Sequence, residues 1–384
     1  MKVQCGQVTT LISSATAADM VFTDGGTAFS VQGHSFRVAD VNGIEFDRSE
    51  VAANTLTVTY TEQGAAVTVP VENLSGLTIT VDGGHVSVVA DATVQTELKY
   101  VLSGASANGS FFMDGEFKAG LELNNLTLTN PVGAAIDIAN GKRIDVVIPD
   151  GTTTTLADAA GGQHNACFFI NGHAEMRGGG TLNLTGNTKH AYASDEYTIL
   201  KPGFGTINVT GAVSDGMHVE QYFQMDGGTV NIKGTKGDCV DVGITKDPAD
   251  EFNGQAFINA GTLTMEVAAD DVKGLKTDSA LTITGGNITA QVSGLGTKGI
   301  SVGTDLLLNK LSGVAPAIKM NVTGTTYMPG NALLESKCRG IKVKGNFTFD
   351  GGDINMTVTG ANAKGISVDG IYTYVSGTTN VRPS

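Results

Sequence analysis

The sequence predicts an all-β protein folded as a single-stranded right-handed parallel β-helix. Glycine supplies 52 of the 384 residues, about twice the usual share, whereas proline is scarce at 8 and tryptophan is absent. Thr, Val, Ile and Asn recur in short runs, and no stretch shows helical spacing of apolar residues over three turns. This composition is typical of short strands separated by tight turns.

A strand that begins at a glycine or alanine recurs along the chain. Its copies are GGTLNLTG from Gly179, FGTINVTG from Phe204, GGTVNIKG from Gly227, AGTLTMEV from Ala260, GGNITAQV from Gly285, AIKMNVTG from Ala317 and GGDINMTV from Gly351. The first two steps are 25 and 23 residues, and later steps carry insertions. Alternating apolar residues are predicted to face a common core, namely Leu182 and Leu184, Ile207 and Val209, and Val230 and Ile232.

A second strand follows each copy, and its most regular form is KGISV. This motif occurs at 298–302 and 364–368, with RGIKV at 339–343 between them. We expect its glycine to form a bend and its Ile and Val to enter the core. A third strand precedes the next glycine pair, so that each turn of roughly 25 residues holds three strands, as in a β-solenoid. Right-handedness follows from the general preference of parallel crossovers.

The repeat divides the chain into two predicted regions. Residues 105–384 form the parallel β-helix. Residues 1–104 contain alternating strands without the glycine punctuation, and they are predicted to be a β-rich region that caps the first turn and protects it from edge pairing.

Charge and hydropathy exclude several classes of function. The net charge of −14 argues against nucleic acid as a partner. The sequence has no run of about 18 apolar residues, so no membrane span is predicted. The first residues lack the apolar core of a secretory signal. Acidic residues dominate 215–271, whereas 273–344 hold nine Lys or Arg against three Asp or Glu.

Three stretches carry a resemblance to a known family. They are LELNNLTLTNPVGAAIDIANGKRIDVVIPDGTTTTLAD at 121–158, GTINVTGAVSDGMHVEQYFQMDGGTVNI at 205–232, and the repeated KGI turns. From about residue 50 onward the chain resembles secreted bacterial carbohydrate-binding domain proteins with a pectate-lyase-like right-handed parallel β-helix. The resemblance implies an extracellular or cell-surface protein that binds pectic acid or cellulose, with calcium on its surface and no established catalysis. Oligomeric state stays open.

Stacked turns convert one repeat position into a line of side chains about 4.8 Å apart. The position before the motif glycine reads His190, Asp215, Asp238, Lys273, Lys298, Arg339 and Lys364. Three residues later the outward position reads His218, Asp241, Lys276, Ser301, Lys342 and Ser367. Lys273, Lys276, Lys298, Arg339, Lys342, Lys364 and His218 are therefore the predicted ligand-binding residues. They suit a linear polyanion such as polygalacturonate, with Arg339 binding a carboxylate in a bidentate manner. Solvated cations that merely cover the turns are an equal alternative.

The acidic positions predict a calcium site, because hard cations take six to eight oxygen ligands from carboxylates and carbonyls. The predicted ligands are Asp215, Asp238, Asp241, Asp270 and Asp271, with Asp247, Asp250 and Glu251 as further candidates in the insertion at 244–254. No EF-hand spacing is present.

Three alternatives remain open at this stage. An outward row of Asn183, Asn208 and Asn231 is predicted to form a self-satisfied amide ladder in preference to a sugar-binding row. A pectate-lyase-like polysaccharide lyase would use a Lys base beside the calcium-held carboxylates Asp270 and Asp271. A structural or adhesive surface protein is the third class. The absence of tryptophan argues against a flat aromatic platform for crystalline cellulose.

Overall fold

The computed structural model describes residues 1–13, 20–46, 50–311, 313–330 and 335–383. Within these residues the chain forms strands, turns and three short 3-10 turns at Asp24–Gly26, Val38–Asp40 and Val71–Asn73, without an α-helix. The predicted all-β class is confirmed.

The strands are short and follow one another closely along the chain. The first ten are β1 Lys2–Cys5, β2 Val8–Leu11, β3 Val21–Thr23, β4 Ala28–Val31, β5 His34–Arg37, β6 Gly43–Glu45, β7 Thr55–Thr61, β8 Gly64–Pro70, β9 Leu77–Asp82 and β10 Gly84–Ala90. The next fourteen are β11 Leu98–Ser106, β12 Gly109–Asp114, β13 Ala119–Thr129, β14 Ile136–Ile138, β15 Ile144–Val147, β16 Thr153–Ala157, β17 Ala166–Ile170, β18 Ala174–Arg177, β19 Thr181–Gly186, β20 His190–Ser194, β21 Thr198–Leu200, β22 Thr206–Ala212, β23 Met217–Glu220 and β24 Tyr222–Met225. The last fourteen are β25 Thr229–Ile232, β26 Val240–Gly243, β27 Gln255–Ile258, β28 Thr262–Val267, β29 Lys273–Thr277, β30 Leu281–Ile283, β31 Asn287–Val292, β32 Lys298–Val302, β33 Leu306–Asn309, β34 Ala317–Val322, β35 Arg339–Val343, β36 Phe347–Val358, β37 Lys364–Val368 and β38 Tyr372–Pro383.

Three sheets contain these strands. A large sheet has 23 strands, mostly parallel, and a second sheet has twelve in the order β37-β35-β32-β29-β26-β23-β20-β17-β14-β12-β10-β9. In the twelve-stranded sheet every pairing is parallel except β9 with β10. Strands β3, β4 and β5 form a small antiparallel sheet. The KGISV and RGIKV segments are therefore neighbouring strands β32, β35 and β37.

The apolar side of each strand is buried in one continuous core. All six residues predicted to face inward on β19, β22 and β25 are at most 2% exposed. In the twelve-stranded sheet the inward register position is apolar throughout: Ile136, Phe168, Tyr192, Met217, Val240, Leu275, Ile300, Ile341 and Ile366. Burial of a side chain of this size stabilises the fold by roughly 1.5–3 kcal/mol. The period-2 pattern thus places the remaining side chains of each strand on the outside.

The boundary predicted at residues 104 and 105 falls inside β11, which pairs in parallel with β7 on one side and β13 on the other. The large core already begins at Leu56, whereas a separate small core gathers residues from Met1 to Val71. Alternating strands without glycine punctuation therefore join the main sheet earlier than expected. Residue 384, the end of the predicted β-helix region, lies outside the described residues.

The motif glycine serves a different purpose from the predicted bend. A Cβ on Gly299 would lie 2.7 Å from the carbonyl oxygen of Gly340, and a Cβ on Gly340 would lie 2.6 Å from the carbonyl oxygen of Gly365. These glycines lie inside β32 and β35, not at a bend. At Gly299 and Gly340 the backbone of the next strand passes too close for any side chain, and at Gly365 the Val381 side chain fills that space.

Candidate functional site

Two columns of mostly polar and charged side chains line the outward side of the twelve-stranded sheet, and together we call them the charged face. The first column contains Lys273, Lys298, Arg339 and Lys364, which pair directly in register. His190, Asp215 and Asp238 extend this column. Each of them lies two residues before one of the residues Tyr192, Met217 and Val240, which are themselves paired in register. The second column is His218, Asp241, Lys276, Ser301, Lys342 and Ser367. Both columns match the alignment predicted from the sequence.

The acidic half of the first column is held by side-chain-to-backbone hydrogen bonds between successive repeats. Each backbone amide donates to the side chain one repeat earlier: Asp215 N to His190 Nδ1 at 3.3 Å, Asp238 N to Asp215 Oδ1 at 2.7 Å, and Lys273 N to Asp238 Oδ1 at 2.7 Å. The series ends at Lys273, whose ammonium cannot accept a hydrogen bond. These residues therefore satisfy buried backbone donors as well as carrying charge.

A compact cluster joins the two columns at the acidic end. Asp215 Oδ2 lies 3.1 Å from His190 Nδ1 and 3.4 Å from His218 Nδ1, and the two imidazole rings stack with centroids 4.5 Å apart. On its other side His218 Nδ1 lies 3.2 Å from Asp241 Oδ2. Asp241 is fixed in turn by Lys276, whose Nζ donates to Oδ1 at 2.8 Å. His190 was not among the predicted binding or metal residues.

Opposing effects set the protonation of this cluster. Burial would raise the pKa of Asp215, but the adjacent imidazoles of His190 and His218 and the hydrogen bond from the Asp238 amide hold that pKa well below its usual range. Burial would lower the pKa of His218, but the carboxylates of Asp215 and Asp241 outweigh it and raise the pKa to about 9. For His190 burial prevails, and its pKa is lowered. At neutral pH the cluster therefore holds one charged and one neutral imidazole.

Asp238 differs from the other two carboxylates of the acidic half. Burial raises its pKa to about 6, although the Lys273 charge and amide oppose the shift. By contrast, the nearby His218 imidazole and the hydrogen bond and charge of Lys276 overcome burial at Asp241 and lower its pKa.

The cations of the first column are less available than predicted. The residue Arg339 is only 8% exposed, and its guanidinium donates to the carbonyl oxygens of Cys338 at 2.6 Å and Asn362 at 3.2 Å. Its Nη1 is therefore occupied by backbone carbonyls, and the side chain is mostly buried. The side chain of Lys298 is 15% exposed, and its ammonium bonds to Ser336 Oγ at 2.6 Å.

Lys364, the last cation of the first column, is exposed. Lys342, in the second column, pairs with Asp369 on the surface. Lys273 bonds to its own turn at the Asp271 carbonyl, 2.7 Å away. The cations of the first column do lie in register, but only Lys273 and Lys364, at the two ends of the row, are accessible to a ligand.

The predicted calcium ligands do not form one hard-cation site. Asp215 and Asp238 each use one oxygen on a backbone amide, and Asp241 is occupied by Lys276 and faces His218. Asp270 accepts from the Leu295 amide at 2.9 Å, and Asp271 accepts from the Ser336 hydroxyl and Lys298. Two imidazole nitrogens and two cations in this neighbourhood are a poor match for Ca²⁺, which prefers oxygen ligands.

The insertion candidates stabilise their own loop. Asp247 accepts from the Ala249 amide at 2.9 Å, and Asp250 accepts from the Thr245 hydroxyl at 2.5 Å. Glu251 contributes its backbone carbonyl to Gln221 at 3.2 Å.

An acidic edge borders the charged face where β20 and β23 end. Asp195, Glu196 and Glu220 have no ion-pair partner within the described ranges, and burial followed by mutual charge repulsion raises the pKa of Glu196 and of Glu220. Beside them Tyr197 and Tyr222 stack face to face with centroids 4.8 Å apart. Their faces cover each other, so this stack is not a flat platform for a sugar ring.

The large sheet carries a second candidate surface, which we call the asparagine groove. Asn208 Nδ2 donates to Asn183 Oδ1 at 2.9 Å, and Asn231 Nδ2 donates to Asn208 Oδ1 at 2.9 Å. The predicted amide ladder is confirmed. The groove beside it has a volume of about 560 Å³ and continues along Thr264, Thr289 and Gln291.

Comparison with solved structures finds a protein of similar fold. The polysaccharide lyase-like protein from C. thermocellum, solved as a gadolinium derivative, matches with a TM-score of 0.51 and 20% sequence identity, over 70% of this chain and 96% of that one. At this identity the match supports the fold alone. No curated protein matches the sequence.

The family itself is defined by sequence. Residues 82–382 match the family described as carbohydrate-binding domain-containing protein, and the chain belongs to it. Polysaccharide binding in general follows from this membership. In the part of the chain that the structure describes, no helix is long and apolar enough to cross a membrane.

Proposed function

We propose that this protein is a non-catalytic, secreted or surface-bound module that binds acidic plant cell-wall polysaccharide along the charged face. The preferred ligand is polygalacturonate or pectin, with cellulose as a further ligand. The proposed scaffold is a right-handed, pectate-lyase-like parallel β-helix. Support for this scaffold comes from the parallel pairing of each strand with its counterpart one repeat later, as in β19, β22, β25, β28 and β31.

The observation that carries the proposal is the register of the second column. Six consecutive strands present His218, Asp241, Lys276, Ser301, Lys342 and Ser367 on one side of the sheet. Strand spacing puts these groups about 4.8 Å apart, a straight line of donors and acceptors that can follow an extended sugar chain. Alternating charge and hydroxyl groups suit both sugar hydroxyls and uronate carboxylates.

The direct contacts to uronate carboxylates are assigned to the open cations. Lys273, Lys342 and Lys364 line the face with at least part of each side chain exposed, and Lys342 contributes through the donors that its pair with Asp369 leaves. Lys276 contributes through its remaining donors, since Asp241 and Asp278 occupy one side of its ammonium. Lys298 and Arg339 support the turns beneath and do not contact the ligand.

The proposal includes calcium, which would bind at the acidic edge and not at the aspartates predicted from the sequence. The unpaired carboxylates Asp195, Glu196 and Glu220 would repel a polyanion. A hard cation held there would bridge them to uronate groups. Binding is therefore expected to weaken when calcium is removed.

Affinity electrophoresis in gels containing polygalacturonate, cellulose or xylan tests the proposal. Replacing Lys273, Lys342 and Lys364 together by Ala should abolish salt-sensitive retardation on polygalacturonate. The matched control replaces Lys99, Lys118 and Lys201, which pair with glutamates away from the charged face and remove the same charge. Equal retardation of both triple variants would contradict the charged face as the binding surface. Chelator should reduce retardation of the natural chain.

A polysaccharide lyase is the second candidate, and one observation favours it. Burial lowers the pKa of Lys298, and this ammonium lies 3.4 Å from Asp271. A lysine with a lowered pKa can act as a base. Growth of unsaturated-uronate absorbance, lost in Lys298→Met, would establish lyase activity and overturn the non-catalytic proposal. Retardation without new absorbance supports it.

A further inference from the structure

Three ligand atoms converge on one point at the acidic end of the charged face. The Nδ1 atoms of His190 and His218 lie 3.1 Å and 3.4 Å from the same oxygen, Asp215 Oδ2, and each of the three residues has a ligand atom within 4.8 Å of the other two. A tetrahedral zinc ion with ligands at about 2.05 Å separates neighbouring ligand atoms by about 3.3 Å. The two nitrogen-to-oxygen separations are close to the length of that tetrahedral edge.

The nitrogen of His218 is a second, independent indication. Its Nδ1 is buried, lies near two carboxylates and nevertheless makes no aligned hydrogen bond. A buried polar atom without a partner is costly unless something else satisfies it. A cation placed between the imidazole and the carboxylate would satisfy both, and it would take the place of the contacts that His190 Nδ1 makes with the Asp215 amide at 3.3 Å and with Asp215 Oδ2 at 3.1 Å.

We infer that His190, Asp215 and His218 bind a divalent transition-metal ion of the zinc class. Two imidazole nitrogens and one carboxylate oxygen are the ligand set that zinc and cobalt prefer, whereas calcium takes oxygen alone. The His218 side chain is 26% exposed, whereas those of His190 and Asp215 are 3% and 11% exposed. The site therefore differs in residues and in metal from the calcium site that the sequence predicted.

The surrounding groups hold the ligands in place. The Asp238 amide binds Asp215 Oδ1 at 2.7 Å, which leaves Oδ2 directed at the two imidazoles. Lys276 fixes Asp241 on the far side of His218. Such outer hydrogen bonds orient metal ligands, and their loss typically weakens metal binding by 10–100-fold.

Titration calorimetry of the chelator-stripped full chain with Zn²⁺ tests the site. One ion should bind per chain, and His218→Ala should weaken binding by more than the roughly 100-fold that loss of an outer partner costs. The control is His164→Ala. It removes a similar histidine–aspartate contact, 2.6 Å from His164 Nε2 to Asp158, in which only one imidazole takes part. Absence of binding, equal affinity of the His218→Ala variant, or equal competition by Ca²⁺ would overturn the inference.

Cobalt substitution provides a measurement that needs no variant. Co²⁺ in this site should give the intense visible absorption of tetrahedral geometry, and Zn²⁺ should displace it. A weak, octahedral spectrum would overturn the assignment. Neither result depends on polysaccharide, so failure of the metal site would leave the proposed binding function standing.

Discussion

The acidic and basic halves of the first column occupy the same position in successive repeats, but their side chains have different structural roles. The amides of Asp215, Asp238 and Lys273 find their acceptor in the side chain one repeat earlier, as Asp238 N does on Asp215. Beyond Lys273 the amides of the basic half bond to backbone carbonyls instead: Lys298 N to Val272, Arg339 N to Thr297 and Lys364 N to Cys338. Where no backbone carbonyl accepts from the amide, the side chain one repeat earlier must be a hydrogen-bond acceptor. Where a carbonyl does accept from the amide, that side chain can be a cation.

The largest effect should come from removing Asp215. Asp215→Ala deletes the acceptor of the Asp238 amide and leaves the charge of His218 with Asp241 alone, so we expect a loss of about 3–5 kcal/mol in the free energy of unfolding. Urea denaturation of metal-free protein measures it. Asp215→Asn keeps an amide oxygen for Asp238 and should lose less. Equal losses in the two variants would show that the backbone acceptor contributes nothing.

Asp369→Asn serves as the comparison in the basic half. Asp369 pairs with Lys342 on an exposed surface, so its replacement should cost less than about 1 kcal/mol. A loss as large as that of Asp215→Ala would remove the distinction between the halves.

The next largest difference between the acidic and basic halves should lie in how the free energy of unfolding depends on pH. The folded pKa of His218, about 9, lies above its unfolded value of roughly 6.5. Its stabilisation is therefore fully present below pH 6.5 and is lost as pH rises through about 9, up to roughly 3 kcal/mol in total. The lowered pKa of His190 acts in the opposite direction and only as pH falls below about 6.5, so it does not overlap this window.

Chemical denaturation of metal-free protein between pH 6 and 9.5 checks this expectation. His218→Gln should flatten the slope, whereas Lys298→Met, in the basic half, should keep it. An unchanged slope in His218→Gln would contradict the assignment of the window to this imidazole.

Register and burial were predictable from the sequence, but hydrogen-bond partners were not. The columns, the inward apolar residues and the Asn183–Asn208–Asn231 ladder follow from alternation and a constant repeat, because parallel strands in register stack identical positions. The burial of Arg339 was missed, since its cover comes from the turn at Asn362 one repeat later. The column placed His190 next to Asp215, but it did not indicate that the Asp215 amide would donate to His190 Nδ1. Local spacing carries no signal for which amide needs an acceptor.

The smallest expected effect compares two cations in adjacent repeats. Arg339→Met removes hydrogen bonds to two carbonyls, but Cys338 O keeps the Lys364 amide as a donor, so the loss in unfolding free energy should be about 1 kcal/mol. Lys364→Met removes an exposed ammonium and should change stability by no more than about 0.5 kcal/mol. Retardation on polygalacturonate should show the reverse order, with Lys364→Met weakened and Arg339→Met unchanged. If Arg339→Met loses binding while remaining folded, then its guanidinium reaches the ligand and the basic half is more open than its contacts indicate.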